Sequence, residues 1–480
     1  MTRRLKTACL SVIAMLLIAA APAWDPTPWL DDLKQFRAAI DKDYPNLDWL
    51  TGQREVSLDG WFARTANDIR QSHNDADARR ALDKLAERFN DGHLLLRWPA
   101  RPSAGGTTAS SSGSGSPPTI GTFCAAKGYD AGKVTVGTAV SLPGYRPIDT
   151  GGPFAAGLVD IEGKKVGVVR LGVFSPTGYP ALCEQAVANT KTAFGKPCDE
   201  TCDDRILTEA FAVMTRALMR TVERLRVVGA DVLLADVTRN GGGTEWTEAA
   251  ARIISPVSVR SAPIRVIRSD AWAKRLRALA TKLRHESGKA QSEDRTMLRD
   301  LALRADTLAD DLAPCNGAPC VRMAQVGFSS GLIPELPAGR FDGRDWGPDV
   351  FSASQFPYRD HVWKGPVIVL VDNETWSAAE QFAALLQDNN AAIVMGTRTG
   401  GAGCGHIYGN VPIALSQSGG QLELPNCARF RKDGSNEVSG VIPDVLTGVR
   451  WNDGPAYAGQ LTASHLSEAI ARAETLHTSH

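Results

Sequence analysis

Ser377 opens the tetrapeptide Ser377-Ala378-Ala379-Glu380, directly after the apolar run Val367-Ile368-Val369-Leu370-Val371 and a turn from Asp372 to Trp376. The run is short and β-branched, so it reads as a buried strand, and Phe382, Leu385 and Leu386 form the apolar stripe of a following helix. A hydroxyl at that junction lies beside unpaired N–H groups and the positive end of a helix dipole, which suits a nucleophile. Ser-x-x-Glu is equally an ordinary capping box, and by themselves these residues favour the cap. Gly241-Gly242-Gly243, between a strand pattern at Ala230 to Val237 and a helical one at Glu245 to Ile254, is a second feature of interest. Three glycines let backbone N–H groups converge on a phosphate or an oxyanion, or merely make a tight turn. The spacing matches neither Gly-x-Gly-x-x-Gly nor the lysine-bearing phosphate loop, which argues against a nucleotide. His93, at the entrance to a strand pattern ending at Trp98, titrates near neutrality and on its own reads as an incidental histidine.

Positioning these groups requires several packed elements, and 480 residues with apolar content in the globular range can supply them. Apolar residues three and four apart (Trp29, Leu33, Phe36, Ile40; Trp61, Phe62, Ile69; Leu82, Leu85, Phe89) predict a small helical domain over 24–100 that stops at Asn90-Asp91-Gly92. Residues 101–118, centred on a Gly/Ser-rich tract, are a low-complexity linker. From 119 to 480 the pattern is α/β. Lys165 to Leu171 and Ala392 to Gly396 read as further strands, and about Ile206 to Val228 and Leu461 to Leu476 as helices. Ile407 to Leu424 reads as a hairpin, and leucine spacings over 271–312 predict an inserted helical hairpin broken at Gly288, either a lid over a cleft or a solvated decoration.

The formal charge of zero gives no electrostatic case for nucleic acid. Arg3, Arg4 and Lys6, an apolar run too short to span a bilayer, and Ala21-Pro22-Ala23 read as a signal peptide over 1–23, so the protein is expected to be exported, periplasmic or extracellular, with no membrane anchor after cleavage. Beyond it lie Cys124, Cys183, Cys198, Cys202, Cys315, Cys320, Cys404 and Cys427, an even set that favours disulfides in an exported chain. Cys198 to Cys202 and Cys315 to Cys320 are candidate local bridges and Cys404 to Cys427 a candidate staple after the serine helix, while the sequence leaves the connectivity open. Zinc is a distant alternative because the tight pairs miss the usual two-residue gap. No metal or cofactor is implied.

Four elements met in order resemble the tail-specific protease family, which includes C-terminal-processing peptidases and the tricorn core. They are LAERFNDGHLLL at Leu85 to Leu96, DVTRNGGG at Asp236 to Gly243, the strand-turn-helix from Gly365, and GVIPD at Gly440 to Asp444. The resemblance implies a crotonase-like α/β catalytic domain, a spiral of ββα units, with an N-terminal helical domain and a helical insertion. It implies Ser377 as nucleophile, with the N–H of Ala378 and one from Gly242 or Gly243 as oxyanion hole. The serine–lysine branch places a lysine twenty-five residues after the nucleophile, and here that residue is Ala402. The branch similar to the tricorn core instead points to His93 as base and Glu437 as the acid orienting it. Two positions depart from that branch: Gly92 stands where tricorn has a serine, and Thr238 where the glycine turn usually carries an arginine, with Arg239 one step on. His406 is the fallback base. Peptide or unfolded protein is the implied substrate. The stretch between His93 and Lys165 is short for the PDZ domain that many members carry. Two other functions stay open: a hydrophobic-ligand or peptide carrier on the same scaffold, as in the similar interphotoreceptor retinoid-binding protein, and an esterase or amidase.

Overall fold

The computed structural model describes residues 24–99, 119–193, 197–314 and 321–479. The expected leader, the 101–118 linker and the Cys315 to Cys320 bridge lie outside the described residues. The other two expected disulfides are present, Cys198 to Cys202 and Cys404 to Cys427, joined by a third, Cys124 to Cys183.

Seven strands make the main sheet, in the order Val445–Leu446, Ile393–Gly396, Val367–Val371, Val232–Asp236, Lys164–Arg170, Ala156–Ile161, Arg146–Ile148. The first five run parallel and the last two antiparallel. A parallel sheet is covered on both faces, so its strands read as continuous apolar runs while alternate residues serve different cores. Leu233, Ala235, Val369 and Val371 pack under the helices Glu200–Val227, Trp246–Ile254 and Ala378–Asp388. Val232, Leu234, Ile368 and Leu370 pack on the opposite face against Leu466 and Ile470 of the C-terminal helix Leu466–Thr478. The architecture is a mixed α/β one of the crotonase-like kind, with helical regions added at the N-terminus and as an insertion.

The N-terminal helices are Thr27–Asp43, Leu58–Arg70 and Asp75–Phe89. The last is ended by Asn90, which itself takes the left-handed position at φ 50°, so the cap expected of a glycine is made by an asparagine. After the turn, strand Leu95–Arg97 pairs antiparallel with Gln421–Glu423, whose other edge holds Ile413–Ala414. This small sheet helps fasten the N-terminal helices to the α/β part of the chain. Leu415, Leu422 and Val438 complete the N-terminal core around Phe36 and Phe89, and buried Asp32 accepts the N–H groups of Gln417 (2.9 Å) and Ser418 (2.8 Å).

The insertion is a helical hairpin, Asp270–Lys289 and Ser292–Asp311. Its break falls after Lys289, with Gly288 still inside the first helix, where one glycine costs only about 1 kcal/mol in a long helix. The hairpin rises from antiparallel strands Pro263–Ile267 and Met323–Phe328, and Ala428–Arg429 pairs with the first of these. The expected C-terminal helix is two, Pro455–Ser464 and Leu466–Thr478. The Ile407 to Leu424 hairpin is reduced to Ile413–Ala414 paired with Gln421–Glu423.

Leu422 is fully buried opposite Leu96 in the joining sheet. Leu422→Ala is expected to lower stability by about 2–5 kcal/mol, read as a shifted urea midpoint with unchanged slope.

Candidate active site

Ser377 is set by fastening its turn to the neighbouring strand exit. Thr375 Oγ1 donates to the Val237 carbonyl (3.0 Å), the Trp376 N–H donates to Asn240 O (2.9 Å), and Asp372 accepts the Arg239 N–H (2.9 Å). Ser377 itself has φ 56° and ψ −117°, a conformation costing a non-glycine residue on the order of 1–3 kcal/mol. Such a bend is kept only where surrounding contacts impose it, and here it faces the hydroxyl toward His93.

His93 Nε2 lies 3.0 Å from Ser377 Oγ, across 284 residues of sequence, and its Nδ1 lies 3.0 Å from the Ala402 carbonyl oxygen. A carbonyl can only accept, so Nδ1 carries the proton and the Nε2 lone pair meets the hydroxyl. Burial holds the imidazole below its ordinary pKa, with the charges of His406 and Arg429 acting the same way and Asp91 opposing. Gly405 packs on the ring: a Cβ there would stand 2.5 Å from its atoms. His406 stacks edge-on at 5.9 Å with its own Nε2 on Leu424 O (2.9 Å), so the fallback base is turned away from Ser377.

The loop that supplies the Ala402 carbonyl is gathered by one carboxylate. Glu380, fully buried, accepts from Thr399 Oγ1 (2.7 Å) and the N–H groups of Ser377 (2.9 Å), Gly401 (2.7 Å), Ala402 (2.8 Å) and Gly403 (3.1 Å). Burial, helped by the Glu437 charge, pushes it up to about 7, against the pull of those donors. In the sequence Glu380 reads only as half of a capping box. The available signal was a lone charged residue in a first turn flanked by apolar ones, Ala378-Ala379-Glu380-Gln381-Phe382.

Two of the expected residues make hydrogen bonds elsewhere. Glu437 does not reach the imidazole; it is buried, and both its oxygens are held by Arg429, at 2.5 Å from Nη2 and 2.7 Å from Nε. Arg429 also donates to Gln381 Oε1 (2.9 Å) and Gly403 O (3.2 Å), which joins Glu437 to the glycine loop. Gly242 lies against Ser377, but its N–H is committed to Asn240 Oδ1 (2.8 Å). The unengaged donors near the hydroxyl are the N–H of Gly243, at φ 143° after the bend, and that of Ala378 at the helix start. The two departures from the tricorn pattern have local causes. A side chain at Gly92 would meet the Trp376 ring at 2.4 Å, which excludes a serine there. Thr238 donates to Asp236 Oδ1 (2.7 Å), and Arg239 turns outward to Glu374 (3.4 Å).

Ser377, His93, Gly243 and Ala378 line a cleft of about 910 Å³. Gln381 and Arg429 lie on its floor, and the inserted hairpin forms a wall through Arg275, Leu276, Leu279 and Lys282. Arg275 stacks on Tyr408 at 3.6 Å and Lys282 pairs with Asp349 at 2.5 Å, so the insertion is fixed to two other parts of the rim. Cys404 to Cys427 ties the His93-side loop to the strand bearing Arg429. The geometry offers a hydroxyl, a neutral base and two N–H donors around one reacting atom, the equipment of acyl transfer through a serine.

This is a serine-type peptidase. The model of peptidase family S41 matches residues 206–447, and the chain belongs to that family. In fold it is similar to mature CPAF complexed with lactacystin, at TM-score 0.61 and 15% identity over 95% of this chain and 99% of that one. It is equally similar to a second structure of mature CPAF, at TM-score 0.61 and 14% identity over 95% and 98%. No curated protein matches the sequence.

Gly405→Ala places a methyl against the imidazole in a backbone that otherwise tolerates alanine. It is expected to lower kcat by at least about 10²-fold with little change in melting temperature. Glu380→Ala leaves buried donors without an acceptor and is expected to cost at least about 3 kcal/mol in chemical denaturation.

Proposed function

We propose that the protein is an exported endopeptidase in which Ser377 is the nucleophile, His93 the general base and acid, and the N–H groups of Gly243 and Ala378 the oxyanion hole. The observation carrying this reading is the 3.0 Å approach of His93 Nε2 to Ser377 Oγ beside two unengaged donors in an open cleft. His93 takes the hydroxyl proton as Oγ bonds to the scissile carbonyl carbon. It returns that proton to the amine nitrogen as the C–N bond breaks, and a water then repeats the sequence on the acyl-enzyme. Nδ1–H remains on Ala402 O throughout and holds Nε2 toward the hydroxyl.

Peptide or unfolded protein is the substrate this family implies, and a cleft of 910 Å³ admits several residues of extended chain. The domain plan that goes with this reading is a removable leader over 1–23, a helical domain carrying His93, a linker over 101–118 and the α/β catalytic body with its hairpin. Three disulfides among the described residues support an oxidising, exported destination. No helix among them is long and apolar enough to cross a membrane.

A serine-directed phosphonate is expected to label Ser377, and Ser377→Ala and His93→Ala each to lose peptide hydrolysis on the order of 10³-fold or more. Tight binding of an apolar ligand with no label would instead favour a carrier. Because burial lowers the His93 pKa, the neutral base persists to more acidic pH than an ordinary histidine allows. kcat/KM should therefore keep more than half of its plateau value at about pH 6.5, where an unperturbed imidazole is half-protonated, with the midpoint of the acid limb below it. An acid limb centred above that value would contradict the assignment.

A further inference from the structure

The turn that carries His93 holds a carboxylate that the relay above leaves unused. Asp91 is 6% exposed. Its Oδ1 accepts the His93 N–H at 2.9 Å, and its Oδ2 accepts the Tyr44 hydroxyl and the Asn46 amide, each at 3.0 Å. Asn46 is in turn fixed by Asn436 of the catalytic body, which donates to its Oδ1 at 2.8 Å. All three donors to Asp91 are neutral, and among the described residues no lysine or arginine pairs with it. The other acids of the site are differently engaged: Glu437 is matched by Arg429, and Glu380 is filled by backbone donors and Thr399.

The charges facing the imidazole are therefore unequal. From the glycine loop comes His406, from the floor Arg429, and both oppose a positive ring; Asp91 on its own turn favours one. The Glu437 charge is paired directly with Arg429.

We propose that Asp91, and not Glu437, is the carboxylate that stabilises the His93 imidazolium, while its Oδ1 fixes the backbone that aims the ring at Ser377. Asp91 is a positioning residue: it acts through His93, gains and loses no proton, and touches no substrate. The Ser377 proton travels to Nε2 and on to the leaving amine as before. This inference rests on the Ser377 and His93 reading. Burial holds the Asp91 pKa above the ordinary carboxylate value, the His93 N–H and charge and the side chains of Asn46 and Tyr44 offsetting it only in part, and a charged Asp91 is what the proposal requires.

The test is a carbon-13 NMR titration of histidine-labelled protein without substrate, comparing wild type, Asp91→Asn and Glu437→Gln. Asparagine keeps an acceptor for the His93 N–H, so a backbone role alone would leave the titration in place. The His93 pKa is expected to fall by about one unit or more in Asp91→Asn and to move less in Glu437→Gln. In the same variant kcat is expected to fall at least about tenfold with KM unchanged. An unshifted His93 in folded Asp91→Asn, or a larger shift in Glu437→Gln, overturns the proposal. Should Asp91→Asn not fold, aspartate-labelled wild type serves: the Asp91 carboxyl resonance must show an inflection at the His93 pKa, and its absence is equally fatal. The two NMR readouts need no turnover. A failed peptidase reading would thus show as an unlabelled Ser377 with the titration shift intact, and a failed Asp91 reading as the reverse.

Discussion

A single buried carboxylate, Glu380, holds the site in register. It sits on the first turn of the serine helix and accepts hydrogen bonds from the Ser377 N–H and from three consecutive N–H groups of the Gly401 to Gly403 loop. Burying an acid is unfavourable unless donors surround it, and here the donors are the backbone whose shape matters. With the loop gathered onto Glu380, the Ala402 carbonyl faces His93 Nδ1, which selects the tautomer whose Nε2 can accept the serine proton. The strained Ser377 backbone is tolerated because its own N–H is part of the same cluster.

Beneath this cluster the floor of the cleft is a continuous buried polar chain. Arg252 pairs with Glu248 (2.5 Å), Glu248 accepts from Gln381 (2.7 Å), Gln381 accepts from Arg429 (2.9 Å), and Arg429 holds Glu437. Such a chain is costly if any member is unpaired and rigid when all are satisfied, so it suits a site that must offer fixed dipoles to a developing charge. The Cys404 to Cys427 bridge connects its Arg429 end to the loop against His93. The chemistry is thus held from the sheet side and from the disulfide side at once.

Much of the scaffold was legible in sequence because it follows simple periods. Four of the five parallel strands read as continuous apolar runs, the helices as stripes three and four apart, and the hairpin insertion as two leucine faces, while the two-residue strand Val445–Leu446 gave no such signal. Ser377 was legible as a strand-to-helix junction, where cap and nucleophile look alike. The site's other half was not, because proximity between His93 and Ser377 depends on a three-residue strand, Leu95–Arg97, finding Gln421–Glu423. Family resemblance supplied the pairing, and it carried over Glu437 and Gly242 in roles whose local contacts here go elsewhere. Spacing could not reveal that Arg429 would neutralise the one, or that Asn240 would occupy the N–H of the other. Asp91 read as a turn residue and Glu380 as a cap, since the difference between a solvated acid and a buried hub lies in what folds over it.

The central claim is that the loop gathered by Glu380 presets His93 with its proton on Nδ1. Nitrogen-15 NMR of the histidine ring, recorded on the wild type above the imidazole pKa, measures that directly. The Nδ1–H tautomer is predicted for His93, lost or mixed in Glu380→Gln; a wild-type ring protonated on Nε2 would contradict the account.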